Sequence, residues 1–154
     1  MTENNQKPSL PAVQINAQYI KDFSFEAPNM PFVLMEMKSA PEISVNIDLK
    51  ADKTQNEKVY TVTLNLRLNA KLKEEDKTLF LCELSYGALV TLDMPEEARE
   101  AMLMVEIPHL IFPYARAIVA NTIREAGLPA LQINPVDFAG LYRAKLAEKE
   151  KAKA

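Results

Sequence analysis

The sequence predicts an α+β fold, and three observations carry that prediction. Four stretches between Gln14 and Leu92 alternate apolar and polar residues with period two, the mark of half-buried strands. The stretches after Asp93 carry helix-start and helix-stop residues instead. The strand signals all precede the helix signals, which argues for an antiparallel sheet with helices added at its C-terminal end, not for alternating βα units.

Each element has its own justification. In the first stretch Ile15, Ala17, Tyr19, Phe23 and Phe25 point one way, and Gln14, Asn16, Gln18, Asp22, Ser24 and Glu26 the other. The following segment, Ala27 to Glu42, contains three prolines; proline lacks a ladder donor and restricts its predecessor, so a long irregular crossover is expected. Strand two sets Ile43, Val45, Ile47 and Leu49 against Ser44, Asn46, Asp48 and Lys50, and ends in the polar turn ADKTQNEK. Strand three has Tyr60, Val62, Leu64, Leu66, Leu68 and Leu72 facing inward, and the charged run KEEDK joins it to strand four as a hairpin. Strand four runs from about Thr78 to Leu92. Phe80, Cys82, Leu84, Tyr86, Ala88 and Val90 form one face, while Leu79 and Leu81 make the opposite face unusually apolar.

Helical signals begin with Asp93 as N-cap and Glu96 three residues on, in a short helix that ends before Pro108. A second helix has Pro113 in its first turn and stops at Gly127, the left-handed C-terminal position. A third opens near Asn134, Pro135 and Asp137 and dissolves into a Lys/Ala/Glu tail. The organisation expected is one domain over residues 13–146, between flexible tails at 1–12 and 147–154.

Composition narrows the function. A net charge of −3 gives no global attraction to nucleic acid or anionic lipid, so any electrostatic role must be local. The single cysteine, Cys82, cannot close an intrachain disulfide, which fits a reducing cytoplasm. The polar start MTENNQKPSL lacks the apolar core of a secretory signal, and no run approaches the roughly 20 apolar residues of a membrane span, so neither export nor insertion is expected. Three glycines in the whole chain argue against phosphate-cradling loops, and function is to be sought on surfaces.

Two surfaces stand out. Met30, Phe32, Val33, Leu34, Met35 and Met37 crowd the proline-broken crossover. Methionine is unbranched and polarizable and suits irregular partners, so this cluster reads either as an adaptable binding surface or as a plug for the domain's own core. On the outer sheet face, Asp22 and Glu26 of strand one and Glu83 of strand four make an acidic patch if the two strands are neighbours. Leu81 and Ile20 would then form its apolar centre.

Reactive chemistry is missing. Cys82 lies mid-strand between Phe80 and Leu84 with no basic neighbour to activate it, and reads as a buried structural thiol. His109, the only histidine, sits between Pro108 and Leu110 in a helix connection. No metal-ligand spacing and no nucleophile elbow occur, so neither a catalytic residue nor a metal or cofactor is expected. An enzyme on this scaffold would have to use Glu83, Asp22, His109 or Cys82 in a pocket the sequence does not reveal.

Four ordered runs carry a family resemblance. YIKDFSFEAPN (Tyr19 to Asn29), FLCEL (Phe80 to Leu84), LIFPYAR (Leu110 to Arg116) and GLPALQINPVDFAGLY (Gly127 to Tyr142) resemble the signature segments of the SecB family of bacterial export chaperones. The likeness spans about Val13 to Tyr142. It implies an ATP-independent cytoplasmic chaperone that binds unfolded precursor proteins and delivers them to the SecA motor, built as a homotetramer, a dimer of dimers. It implies client grooves bordered by the crossover and the last helix, which adds Phe138, Leu141 and Tyr142 to the crossover residues. It implies that Asp22, Glu26, Leu81 and Glu83 receive the basic, zinc-carrying tail of SecA, the zinc being the partner's, and that Cys82, Leu84 and Tyr86 lie at a subunit interface. The lysine-rich C-terminus departs from the acidic or amide-rich tails of many members. A SecB-like branch that guards antitoxins in stress modules is the alternative client assignment.

Overall fold

The computed structural model describes residues 12–153; the expected N-terminal tail lies outside the described residues except for Ala12. The strands are β1 (Val13–Glu26), β2 (Glu42–Lys53), β3 (Val59–Lys71) and β4 (Thr78–Leu92), with a one-turn helix α1 (Val33–Glu36) in the crossover. They form one antiparallel sheet in the order β1-β4-β3-β2. Only β1 is out of sequence order, because the crossover carries the chain from one edge of the sheet to the other.

The helical part departs from expectation. A break before Pro108 is predicted, but α2 (Glu96–Ala101), a π segment (Met102–Glu106) and α3 (Ile107–Glu125) form one uninterrupted rod. In the π turn Ile107 N–H donates to the Met102 carbonyl, five residues back. Such a wide turn resets the ladder just ahead of a residue that has no donor. Pro113 lies in the interior of α3, not at its start. Its ring and His109, whose carbonyl it leaves without a helical donor, are both exposed, so water can take that role. Nor does Asp93 cap the helix: Pro95 holds the N-cap position, and Asp93 pairs with Lys58 at 3.2 Å.

By length and composition the Glu96–Glu125 rod is apolar enough to cross a membrane. Its apolar side is instead laid against the sheet of its own chain, where Ile107, Ile111, Ala115, Val119 and Ile123 face β3 and β4. Gly127 takes φ +89° after α3, as its place in the sequence predicts. α4 (Phe138–Ala152) begins at Asp137, whose carboxylate accepts the Gly140 N–H at 3.0 Å. It runs as helix to Ala152, past residue 147 where the tail is expected to begin.

The sheet register overturns the simple reading of β1. Register shifts between Ile15 and Ala17 and between Ile20 and Asp22 are bulges, and each reverses the facing of the residues beyond it. Val13 and Ile15 pair with Leu92 and Val90 on the inner face; Ala17 and Tyr19 then sit opposite Leu89 and Gly87 on the outer face; Phe23 and Phe25 return to the inner face opposite Leu84 and Cys82. A third shift, at the start of β4, frees Leu79 to turn into the core. Tyr19 covers Gly87 so closely that a Cβ there would fall 2.5 Å from its ring. Much of the second apolar face of β4 is thus resolved within one chain.

Candidate functional site

The crossover divides into a buried peg and an exposed lip. Val33, 1 % exposed, is the peg and packs into the core, with Met30 and Met37 half-buried beside it. Phe32 at 70 %, Met35 at 85 % and Leu34 at 41 % exposure project into solvent. The segment is tied down by polar contacts: Asn29 donates to the Thr78 carbonyl at 2.9 Å, and Lys77 Nζ donates to Glu36 Oε2 at 2.7 Å. That bond holds the Glu36 carboxyl below its usual range and the Lys77 ammonium above. The core-plug reading holds for Val33, while Phe32, Leu34 and Met35 are left exposed. Val33 is withdrawn from the client-binding set because it has no surface to offer.

Behind the crossover runs an apolar trough of about 580 Å³, walled by Met37, Pro41, Ile43, Phe80, Leu128 and Leu131. Ile43 brings the start of β2 into its wall, and two further depressions lie along the same strand. A depression of about 210 Å³ lies between Ile47, Leu49, Met104 and the α4 residues Leu141 and Tyr142, and one of about 490 Å³ lies beyond it toward Lys53 and Lys149. The crossover thus borders the trough, and α4 borders the depression beside Ile47 and Leu49 of β2. Leu141 is exposed and Tyr142 half-buried. Tyr142's phenol is pushed up by burial and by nearby Glu100. Phe138 is corrected: it is buried edge-on against Phe112 at 5.9 Å and anchors α4 to the core. Sequence reasoning missed the loop residues Leu128 and Leu131, although apolar side chains in a proline-broken segment are the same signal that marked the crossover.

The outer sheet face assembles as expected. The β1–β4 register sets Asp22 opposite Ser85, Ser24 opposite Glu83 and Glu26 opposite Leu81, so Asp22, Glu26, Leu81 and Glu83 share one face. Ile20 does not join them, because the bulge before Asp22 turns it to the inner side with Tyr86. The missed member is Arg67, opposite Glu83 on β3 and bonded to it at 3.1 Å. Asp22, Asp48 and Glu83 surround this guanidinium in a shallow depression of about 380 Å³.

Cys82, Leu84 and Tyr86 are placed against α3 in the chain's own core, at 0 %, 2 % and 7 % exposure. They cannot form the bulk of a subunit interface, because one chain already covers them. The apolar surface left bare lies beside them: Ile20 and Phe23 on β1, Leu110 and Tyr114 on α3. Tyr86 joins the two groups, donating to Gln18 Oε1 at 3.2 Å, its phenol pushed up by burial and by neighbouring Tyr114. Among the described residues no cluster of His, Cys, Asp and Glu is arranged to hold a metal ion.

Comparison with known proteins decides the family. The family model "Preprotein translocase subunit SecB" matches residues 4–149. The chain belongs to the SecB family. It is a protein-export chaperone and not an enzyme. The protein-export protein SecB of Paramagnetospirillum magneticum is 44% identical over 140 residues, covering 90% of this chain and 88% of that protein. That of Maricaulis maris is 41% identical over 150 residues, covering 97% and 86%. Among solved structures, the SecB-like chaperone of Mycobacterium tuberculosis in complex with a ChAD peptide from the HigA1 antitoxin superposes with a TM-score of 0.66. It covers 81% of this chain and 91% of that one at 14% identity, a likeness of fold. The SecB sheet and its helices are thus this chain's own architecture.

Proposed function

We propose that this chaperone captures unfolded precursor proteins along the trough beside β2 and passes them to SecA at the outer sheet face, in the cytoplasm and as a homotetramer built from two dimers. The observation that carries the reading is the apolar trough behind the crossover, together with Phe32, Leu34 and Met35 left exposed on that firmly tied segment. Each Leu, Phe or Met side chain that a client buries there contributes roughly 1.5–3 kcal/mol. A few such anchors give weak capture with little sequence preference, and several grooves on one assembly multiply it. A chain that folds quickly hides its anchors before it binds, so selection is kinetic and needs no nucleotide.

The outer face suits a basic partner. Asp22, Glu26 and Glu83 lie around exposed Leu81, a carboxylate rim on an apolar centre. Exposed charges are screened within about 10 Å at 0.1 M salt, so docking there weakens as salt rises. The bare patch of Ile20, Phe23, Leu110 and Tyr114 favours assembly with further copies.

Two double variants test the separation of sites. Asp22→Lys with Glu83→Lys should abolish binding of the SecA tail while suppression of aggregation by a reduced, slow-folding precursor continues. Met35→Asp with Leu34→Asp should do the reverse. Loss of both activities in either variant would contradict two separate surfaces.

A further inference from the structure

We propose that the edge of β2 takes the backbone of an extended client as an antiparallel fifth strand, and that Lys145 holds one carbonyl of that edge until the client displaces it. The proposal rests on the groove reading above and adds to it the mode of capture.

The two sheet edges differ. β2 pairs with β3 from Glu42 to Lys53 without a register shift and contains no proline, whereas β1 carries two bulges, a common way to blunt an edge. The direction of the β2 backbone is set by its hairpin, where Thr54 N–H donates to the Val59 carbonyl at 3.2 Å and defines a hydrogen-bonded pair. Bonded and non-bonded pairs alternate along an antiparallel ladder. Asp52, Lys50, Asp48, Asn46 and Ser44 therefore aim N–H and C=O at β3, and Ala51, Leu49, Ile47, Val45 and Ile43 aim theirs at the open edge. A separate observation agrees. Lys145 Nζ, from α4, donates to the Leu49 carbonyl at 2.8 Å and to Asp48 Oδ1 at 3.2 Å, so a carbonyl of the second set does face away from the ladder.

Those edge-facing residues are also the ones whose side chains turn to the inner face, where Ile43 lines the trough and Ile47 and Leu49 line the depression beside α4. A client lying there meets apolar side chains and a backbone row that has no strand partner among the described residues. Strand addition draws its affinity from main-chain bonds that every sequence can make, which suits a protein that accepts many clients. The Lys145 ammonium stands where a client N–H would donate. α4 is otherwise held by Phe138 and by packing on the π segment, so releasing this one bond opens that stretch of edge.

The geometry fixes which client amides matter. In a strand added antiparallel to this edge, residues whose side chains enter the trough point their N–H groups at β2, and the alternate residues point theirs away. The probe is a ten-residue peptide of alternating Leu and Ser, titrated into the full-length protein, beside one isomer N-methylated at the leucines and one at the serines. N-methylation at leucine should weaken binding at least tenfold and at serine less than threefold. Hydrogen exchange should show new protection at Ile43, Val45, Ile47, Leu49 and Ala51 when the parent peptide binds. Lys145→Met should tighten the parent peptide two- to threefold. Equal affinity of the two isomers, with the parent bound, overturns strand addition and leaves the groove reading standing. A parent that does not bind removes both. Protection of the five amides before peptide is added would mean that another copy holds the edge, and overturns the proposal; weaker binding by Lys145→Met overturns the latch.

Discussion

Cys82 is the residue that most invites a chemical role, and its surroundings withdraw it from one. The thiol is pushed up to about 11, first by burial and then by the neighbouring charge of Glu83. It should not react with an aromatic disulfide reagent in the native protein at pH 8, and should react at once in denaturant; native labelling at a comparable rate would contradict the packing of β4 against α3. The same shift sets a pH dependence. Because the folded value lies above the ordinary 9.0, the unfolded chain releases this proton first. The stability that the neutral thiol supplies is complete below about pH 9 and is lost as pH rises toward about 11. Denaturant titrations across that window should show the decline, and Cys82→Ala should remove this part of it. Arg67 teaches the converse at this scale: the sequence shows it as one more outward charge, but only the β3–β4 register brings it onto Glu83. Both side chains are more than half exposed, so the pair shapes the charge of the face more than it holds the fold together.

Among the elements, the crossover separates fold from function residue by residue. Val33→Ala should cost about 1–3 kcal/mol in denaturant unfolding, since it leaves a void where the peg was. Met35→Ala should change stability by less than about 0.5 kcal/mol yet weaken client binding measurably, because its side chain touches mostly water. Similar values for the two would mean that peg and lip are not distinct. β1 shows why composition alone could not assign its faces. Its alternation looks continuous in sequence, but an extra residue near Asn16 and another near Lys21 each invert the pattern. Asp22 and Glu26 were legible as outward because both lie beyond the last bulge; Ile20 was misassigned because it precedes it. The long helix failed for a comparable reason. Prolines at 108 and 113 are local stop signals, and they are overridden where a π turn and a solvent-facing side absorb the missing donors.

For the whole molecule, the bare apolar patch is the feature a single chain leaves unfinished. Leu110→Asp with Tyr114→Asp should reduce the mass measured by light scattering to that of a smaller assembly while the circular dichroism of the subunit is kept; an unchanged mass would place the subunit contacts elsewhere. Residue order was enough to establish the α+β class, the four strands, the long crossover and the family, because each is written in local periodicity or in ordered runs of residues. Three-dimensional packing was needed to tell which crossover side chains are peg and which are lip, which β1 residues face the helices, that Cys82 and Leu84 are already covered, and that the trough and two depressions lie along β2. Those facts depend on strand register and on the docking of distant segments, and a bulge of one residue or a helix that runs on through proline reverses them without leaving a mark in composition.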